Sequence, residues 1–139
     1  MSETEIGNID YTTIDVDKHV TYDSLAGRVI IITGGGQGIG RGYAHYFAAQ
    51  GAIPVIAEYN GDNGERVAHE VQEKQGQALA IQTDVADIRS ATSMAEKTLS
   101  AFGRIDVLIN NAAVFSQITM APFWELPVEE WERAVQVNV

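Results

Sequence analysis

Thr33-Gly34-Gly35-Gly36-Gln37-Gly38-Ile39-Gly40 decides how the rest of this 139-residue chain is read. It follows Val29-Ile30-Ile31-Ile32, continuously apolar and β-branched, as a strand covered on both faces should be. A helical pattern comes next, from Ile39 to Gln50, and stops at Gly51, a good left-handed cap. Glycines between a strand and a helix allow a tight turn and let the backbone approach a pyrophosphate. The N–H groups and dipole of the helix N-terminus then hold the charge. The plain alternative is a glycine-rich turn that holds no ligand.

The same beat continues outward. Apolar runs begin near Val29, Ile53, Leu79 and Val107, and helical patterns follow the first three, which is the alternation of a parallel α/β sheet. Residues 78–83 are the weakest of the strands. Asp62 and Glu65 form a capping-box-like pair before Val67, Ala68 and Val71, and Gly76 is expected to end that helix. Ile88, Ala91, Ala95, Leu99 and Phe102 make one apolar stripe, closed by Gly103. A last helix is expected from Pro127, with Val128, Trp131, Val135 and Asn138 on its stripe. Trp124 and Trp131 are expected to pack a loop against that helix.

The formal net charge is -10, and half of the imbalance lies in residues 1–24. That segment has no clear period and reads as an acidic N-terminal extension, flexible or packing as an arm; residues 25–139 carry the domain. An acidic surface repels phosphate backbones, so nucleic acid and anionic membrane are unexpected partners. No apolar run approaches the ~18 residues of a membrane span, and no signal peptide is visible. The chain has no cysteine, which fits a reducing, cytoplasmic location and leaves no thiolate for a metal. His19, His45 and His69 lie far apart and His69-Glu70 lacks a second His, so no metal site is expected.

The loop's spacing narrows the ligand. Strict G-x-G-x-x-G fails. A Walker loop nearly fits Gly35 to Gly42, but Arg41 and Gly42 replace its Lys and Ser/Thr. Gly36-x-Gly38-x-Gly40 also matches loops that bind S-adenosylmethionine, although these usually follow an acid where Ile32 and Thr33 stand. Thr33-Gly34-xxx-Gly38-x-Gly40 instead resembles the short-chain dehydrogenase/reductase family. Asp84-Val85, Asn110-Asn111-Ala112-Ala113 and Val137-Asn138-Val139 match that family's further motifs in order. The resemblance spans residues 25–139 and implies a Rossmann-type, doubly wound parallel sheet between two helical layers, in the order 3-2-1-4. It covers only the first part of the family's catalytic domain, and the sheet would stop after the fourth strand and its helix.

The resemblance also implies roles. Gly34, Gly36, Gln37, Gly38 and Gly40 would form the pyrophosphate loop, with Ile39 beside the cofactor. Asp84 would accept from the adenine amino group while the Val85 N–H meets a ring nitrogen. Asn111, Ala112 and Ala113 would line the ribose side, Ala113 standing where the family usually has Gly. Asn138 would hold a water of a proton relay; alone, it reads as a core amide that has found partners. Glu58 ends the second strand, where a carboxylate can take both ribose hydroxyls of NAD; the plain alternative is a solvated acid. Gln37 is neutral where NADP-preferring relatives often carry a base, so NAD is expected over NADP.

Hydride transfer at a carbonyl also needs a proton donor. The family uses a Tyr with a Lys one helical turn later, whose charge lowers the phenol pKa. Tyr11, Tyr22, Tyr43, Tyr46 and Tyr59 are followed at that spacing by Asp15, Ala26, Phe47, Gln50 and Asn63. None qualifies, and the family's Ser is absent too. The expectation is therefore the NAD-binding part of an oxidoreductase acting on a small secondary alcohol or ketone, a homo-oligomer at full length and inactive as these 139 residues. A non-catalytic dinucleotide-binding module and, more remotely, a methyltransferase-like domain are the alternatives. The ending at Val139 is expected not to be a natural boundary, because the fourth strand would be left as an apolar edge.

Overall fold

The computed structural model describes residues 22–115 and 119–139. Four parallel strands, β1 (Val29–Thr33), β2 (Ile53–Glu58), β3 (Leu79–Gln82) and β4 (Val107–Ile109), form one sheet in the order β3-β2-β1-β4. Helices α1 (Gly38–Ala49), α2 (Gly61–Glu73) and α3 (Ile88–Phe102) connect successive strands, and α4 (Val128–Asn138) follows β4. The expected Rossmann-type arrangement and strand order are both present. Most of residues 1–24, including His19, lies outside the described residues. Tyr22 is described, and its N–H donates to Gln50 Oε1 at 3.0 Å.

Alternation along the strands builds two cores. Ile30, Ile32 and Ile56 face Ala44 of α1 and Val67 and Ala68 of α2 on one side. Val29, Ile31, Val55 and Ala57 meet Ile81 and Met94 on the other. Burying each large aliphatic side chain contributes roughly 1.5–3 kcal/mol, so the sheet's centre carries most of the packing energy. Pro54 sits in the interior strand β2 without breaking it. The Ile53 N–H bonds towards β1, at Arg28 O, so position 54 faces the other way, and β3 begins to pair only at Val55–Leu79. No ladder donor is lost.

Several local expectations need correction. Asn60, not Asp62, caps α2: its side chain accepts from the Asn63 N–H at 3.3 Å. The left-handed residue after α2 is Gln75, at φ +66°, rather than Gly76. A Cβ at Gly76 would instead lie 2.8 Å from Val71 Cγ1, so close packing is what asks for glycine there. Gly51 and Gly103 do adopt positive φ, as expected. On α3 the buried residues are Met94 and Thr98, whereas Ile88 is 78% and Leu99 48% exposed. The helix is rotated from its hydropathy stripe, and the Thr98 hydroxyl on the buried face is satisfied by donating to Met94 O at 2.8 Å.

Helix α4 departs furthest from expectation. Val128, Trp131 and Val135 stand exposed, and Trp124 is exposed as well, so neither tryptophan packs a loop against a helix core. Pro127 precedes the helix instead of opening its first turn. What holds α4 is polar. Thr119 gives its N–H and hydroxyl to the Glu130 carboxylate, and Asn138 bonds the backbone of Val114. Strand β4 pairs on one side only, with β1, and leaves Val107 and Leu108 exposed at the edge. Among the described residues no helix is long and apolar enough to cross a membrane.

Candidate functional site

The C-terminal ends of the strands carry the site. Beyond β1 the chain turns at Gly34, whose N–H donates to Ala57 O at 2.8 Å, and enters α1 at Gly38. Gln37 flanks that helix in extended conformation and no side chain caps it. The first turn of an α-helix has N–H groups without intrahelical acceptors, so this end is open to an anion. At Gly40 a Cβ would overlap the Gly34 carbonyl oxygen and press on Asn111 Nδ2, so only glycine lets helix and turn approach this closely. Ile39, by contrast, is 71% exposed over the cleft.

Thr33 ties this turn to β4. Its hydroxyl accepts from the backbone N–H of Asn111 and of Ala112, each at 3.0 Å, and donates to Ile109 O at 3.2 Å. The Asn111 side chain donates to Thr33 O at 3.0 Å and to Gly34 O at 3.2 Å. Both of its amide donors are thus used within the protein. Asn111 fixes the glycine turn, and Ala112 and the exposed Ala113 continue along the cleft.

Glu58 closes the other side. It is 8% exposed, and its two oxygens accept from Gly36 N at 2.9 Å and Asn60 N at 3.1 Å. The reading of Glu58 as a solvated acid is therefore wrong. A Cβ at Gly36 would come within 2.7 Å of Glu58 Cγ, so glycine at 36 is what admits the carboxylate. Arg66 completes the hold: Nη2 donates to Gly36 O at 2.9 Å, while Nη1 reaches Glu70 at 3.0 Å. Glu70 also takes Arg41 Nε at 2.7 Å and His45 Nε2 at 2.9 Å. The hydrogen bond from Arg41, then that from His45, holds the Glu70 carboxyl at about 2, well below the ordinary 4.5.

Past β3, a cavity of about 330 Å³ lies between Tyr59, Asp84 and Val85 on the strand ends and Val114, Arg133 and Val137 on the α4 side. Asp84 Oδ1 accepts from Ala86 N at 2.9 Å, and its own N–H donates to Ser90. Asn138 stands at the far end of α4. Its Oδ1 accepts from Val114 N at 2.9 Å and its Nδ2 donates to Val114 O at 3.2 Å. It is exposed, so it has partners as an amide must, though not on a buried stripe.

The glycine turn, Glu58, Asp84 and Asn111 thus lie at the strand ends, with Ile39 on α1 and Asn138 at the far end of α4. Sequence reasoning missed Thr33 as a hydrogen-bond hub, the Arg66 clamp on Gly36, and Arg133 with Tyr59. Only the i,i+4 spacing of Arg66 and Glu70 carried a signal. No group of three or more potential metal ligands occurs among the described residues. A second charged cluster, Arg28, Arg104 and Asp106, lies at the opposite end of the sheet; hydrogen bonds from Arg104 and from the Val29 N–H push the Asp106 carboxyl far below its usual range.

This fold and loop define a nucleotide-binding α/β domain, and residues 28–139 match the family model described as short chain dehydrogenase. The chain belongs to the short-chain dehydrogenase/reductase family. It is 43% identical to an uncharacterized oxidoreductase of Thermotoga maritima, over 83% of this chain and 44% of that protein. Among solved structures it resembles the 3-ketoacyl-(acyl-carrier-protein) reductase of Brucella melitensis complexed with NADH. The TM-score is 0.75 and the identity 37%, over 83% of this chain and 46% of that one. It also resembles a metagenomic short-chain oxidoreductase in complex with NADP, at TM-score 0.77 and 30% identity, over 84% of this chain and 52% of that one. The chain spans less than half the length of the curated relatives it matches.

Proposed function

We propose that these residues form the cofactor-holding part of an NAD-dependent oxidoreductase that moves hydride between a secondary alcohol and the matching ketone. The observation that carries it is the uncapped N-terminus of α1 opening beneath a glycine turn that Thr33 and Asn111 lock in place. The space a Cβ would fill at Gly36 and Gly40 is the space in which the turn meets Glu58 and the helix meets Gly34, so the cradle is built by the sequence itself. Nicotinamide supplies the hydride when bound. The backbone of Gly34 to Gly40 would hold the pyrophosphate, Asp84 and Val85 the adenine, and Ala112 and Ala113 the ribose side.

Glu58 would take the adenosine ribose. Each carboxylate oxygen uses one lone pair on a backbone N–H and keeps another for a hydroxyl. Asn138 keeps one N–H and one acceptor position beyond its bonds to Val114, which would let it hold a water. No residue in the chain supplies the Tyr and Lys of the family's proton transfer.

Cofactor choice tests the reading. A 2′-phosphate would sit beside Glu58, and two unit charges at 4 Å repel by about 1 kcal/mol in water and about 4 kcal/mol at an effective dielectric of 20. The burial of Glu58 favours the larger figure. Isothermal titration should give NADH at least a severalfold advantage over NADPH, and Glu58→Ala should narrow it. Tighter binding of NADPH by the unaltered chain would sink the assignment.

A further inference from the structure

The cavity beside Asp84 has a feature that the expected motifs do not include. Arg133, on α4, places its guanidinium carbon 5.9 Å from the centroid of the Tyr59 ring. Both side chains line the cavity, so this contact forms a bridge from α4 to the end of β2 along its wall. Tyr59 is 61% exposed and Arg133 is also exposed, and Arg133 has no ion pair among the described residues. An exposed planar cation lining a cavity of about 330 Å³ is suited to a flat π system.

We propose that Arg133 is a cofactor-binding residue that stacks its guanidinium on the adenine ring, and that Tyr59 is the positioning residue that holds it there. This rests on the dinucleotide reading above and extends it to α4. The cavity's chemistry supports an adenine guest. Asp84 supplies a carboxylate acceptor for an exocyclic amine, and the Val85 N–H makes no hydrogen bond among the described residues. Val114 and Val137 give apolar walls. Arg133 adds a cationic face on the α4 side. The ring quadrupole of Tyr59 attracts the same guanidinium from behind and limits the rotamers that an exposed Arg would otherwise sample. The arrangement also couples α4, which has few apolar contacts, to cofactor binding: an adenine in the cavity would touch both the sheet and the helix.

The test is titration of the chain and its variants with NADH, ADP-ribose, reduced nicotinamide mononucleotide and NADPH, alongside thermal melting. Arg133→Ala should weaken NADH and ADP-ribose about fivefold to thirtyfold, the range of a cation–π contact that loses its water on binding. Reduced nicotinamide mononucleotide, which lacks adenine, should bind as before. The melting temperature should not move, because the side chain is exposed. Tyr59→Ala should give a smaller loss for the same two ligands, and Tyr59→Phe should restore it. Unchanged ADP-ribose affinity in Arg133→Ala would overturn the proposal, as would equal loss for the mononucleotide or a lowered melting temperature. A loss confined to NADPH would assign Arg133 to a phosphate and overturn it too. Those results leave the dinucleotide reading standing; only failure of the unaltered chain to bind ADP-ribose and NADH would remove both.

Discussion

Replacing Thr33 by Val removes one oxygen and keeps the shape of the side chain, so it isolates a hydrogen-bond hub from packing. Thr33 is 4% exposed. Its hydroxyl accepts from two backbone N–H groups, of Asn111 and Ala112, and donates to Ile109 O. In Thr33→Val these three groups lose their partner at once. A typical hydrogen bond contributes about 0.5–1.5 kcal/mol net, and a buried polar group left unpaired costs about 1–3 kcal/mol. The region is partly buried, so water can reach some of the orphaned groups, and the expected loss is roughly 2–4 kcal/mol. Thr33→Ser keeps the oxygen and should lose far less. Equilibrium urea unfolding of the three proteins measures both, with the slope against denaturant unchanged if the native packing is retained. The same substitution should weaken NADH, since Asn111 can then shift away from Gly34. If Thr33→Val lies within about 0.5 kcal/mol of the parent, comparable to an ordinary surface change, the hub does not join β1 to β4 as described.

Other outcomes follow from single features. Glu70 has its carboxyl lowered to about 2 by Arg41 and His45, so the stability it contributes is complete above its ordinary value of 4.5 and drains as pH falls towards 2. The stability gap between parent and Glu70→Gln should shrink over that window, and Asp106 titrates alike in both; a gap that stays constant to pH 2 would refute it. Gly42 lies within α1 with open space around its Cβ direction, so Gly42→Ala should raise stability by about 0.5–1 kcal/mol in chemical denaturation. A loss would mean that the helix needs glycine there. Finally, these 139 residues should show no turnover with a panel of secondary alcohols when NADH absorbance is followed. Sustained turnover from a preparation of verified mass would show that some other group replaces the Tyr and Lys.

The alternation of strands and helices was legible because its signal is local and repeated, whereas the order of the sheet came with the family resemblance. β1 and β2 are short β-branched runs, the connecting helices carry apolar residues at helical spacing, and a parallel sheet leaves few ways to arrange them. What failed were signals that depend on one or two residues. Asp62 and Asn60 are both good caps, and which one is used depends on where the chain leaves β2. Gln75 takes the left-handed turn although Gly76 is next to it, because Gly76 has to pass close to Val71. For α3, hydropathy ranks Leu99 above Thr98, but the Thr98 hydroxyl is satisfied by its own helix, so hydropathy alone did not mark Thr98 as a residue that could be buried.

At the site the division is similar and has a physical cause. Glycine positions were readable because steric demand leaves one residue type acceptable, and Gly36 and Gly40 each meet that demand. Hydrogen-bonding partners were not, because Thr33 and Asn111 lie 78 positions apart and either could have bonded locally. Glu58 shows both sides at once. Its place at the end of β2 was readable and its exposure was not, since only the fold brings the Gly36 and Asn60 N–H groups to its two oxygens. A carboxylate so held is oriented before any ligand arrives, and a hydroxyl pair can use the remaining lone pairs without moving it. A phosphate would have to displace it, and with it the Gly36 turn that Arg66 fixes from the other side. On the proposed reading, discrimination between the two cofactors would depend on the geometry of the glycine turn as well as on the charge of Glu58.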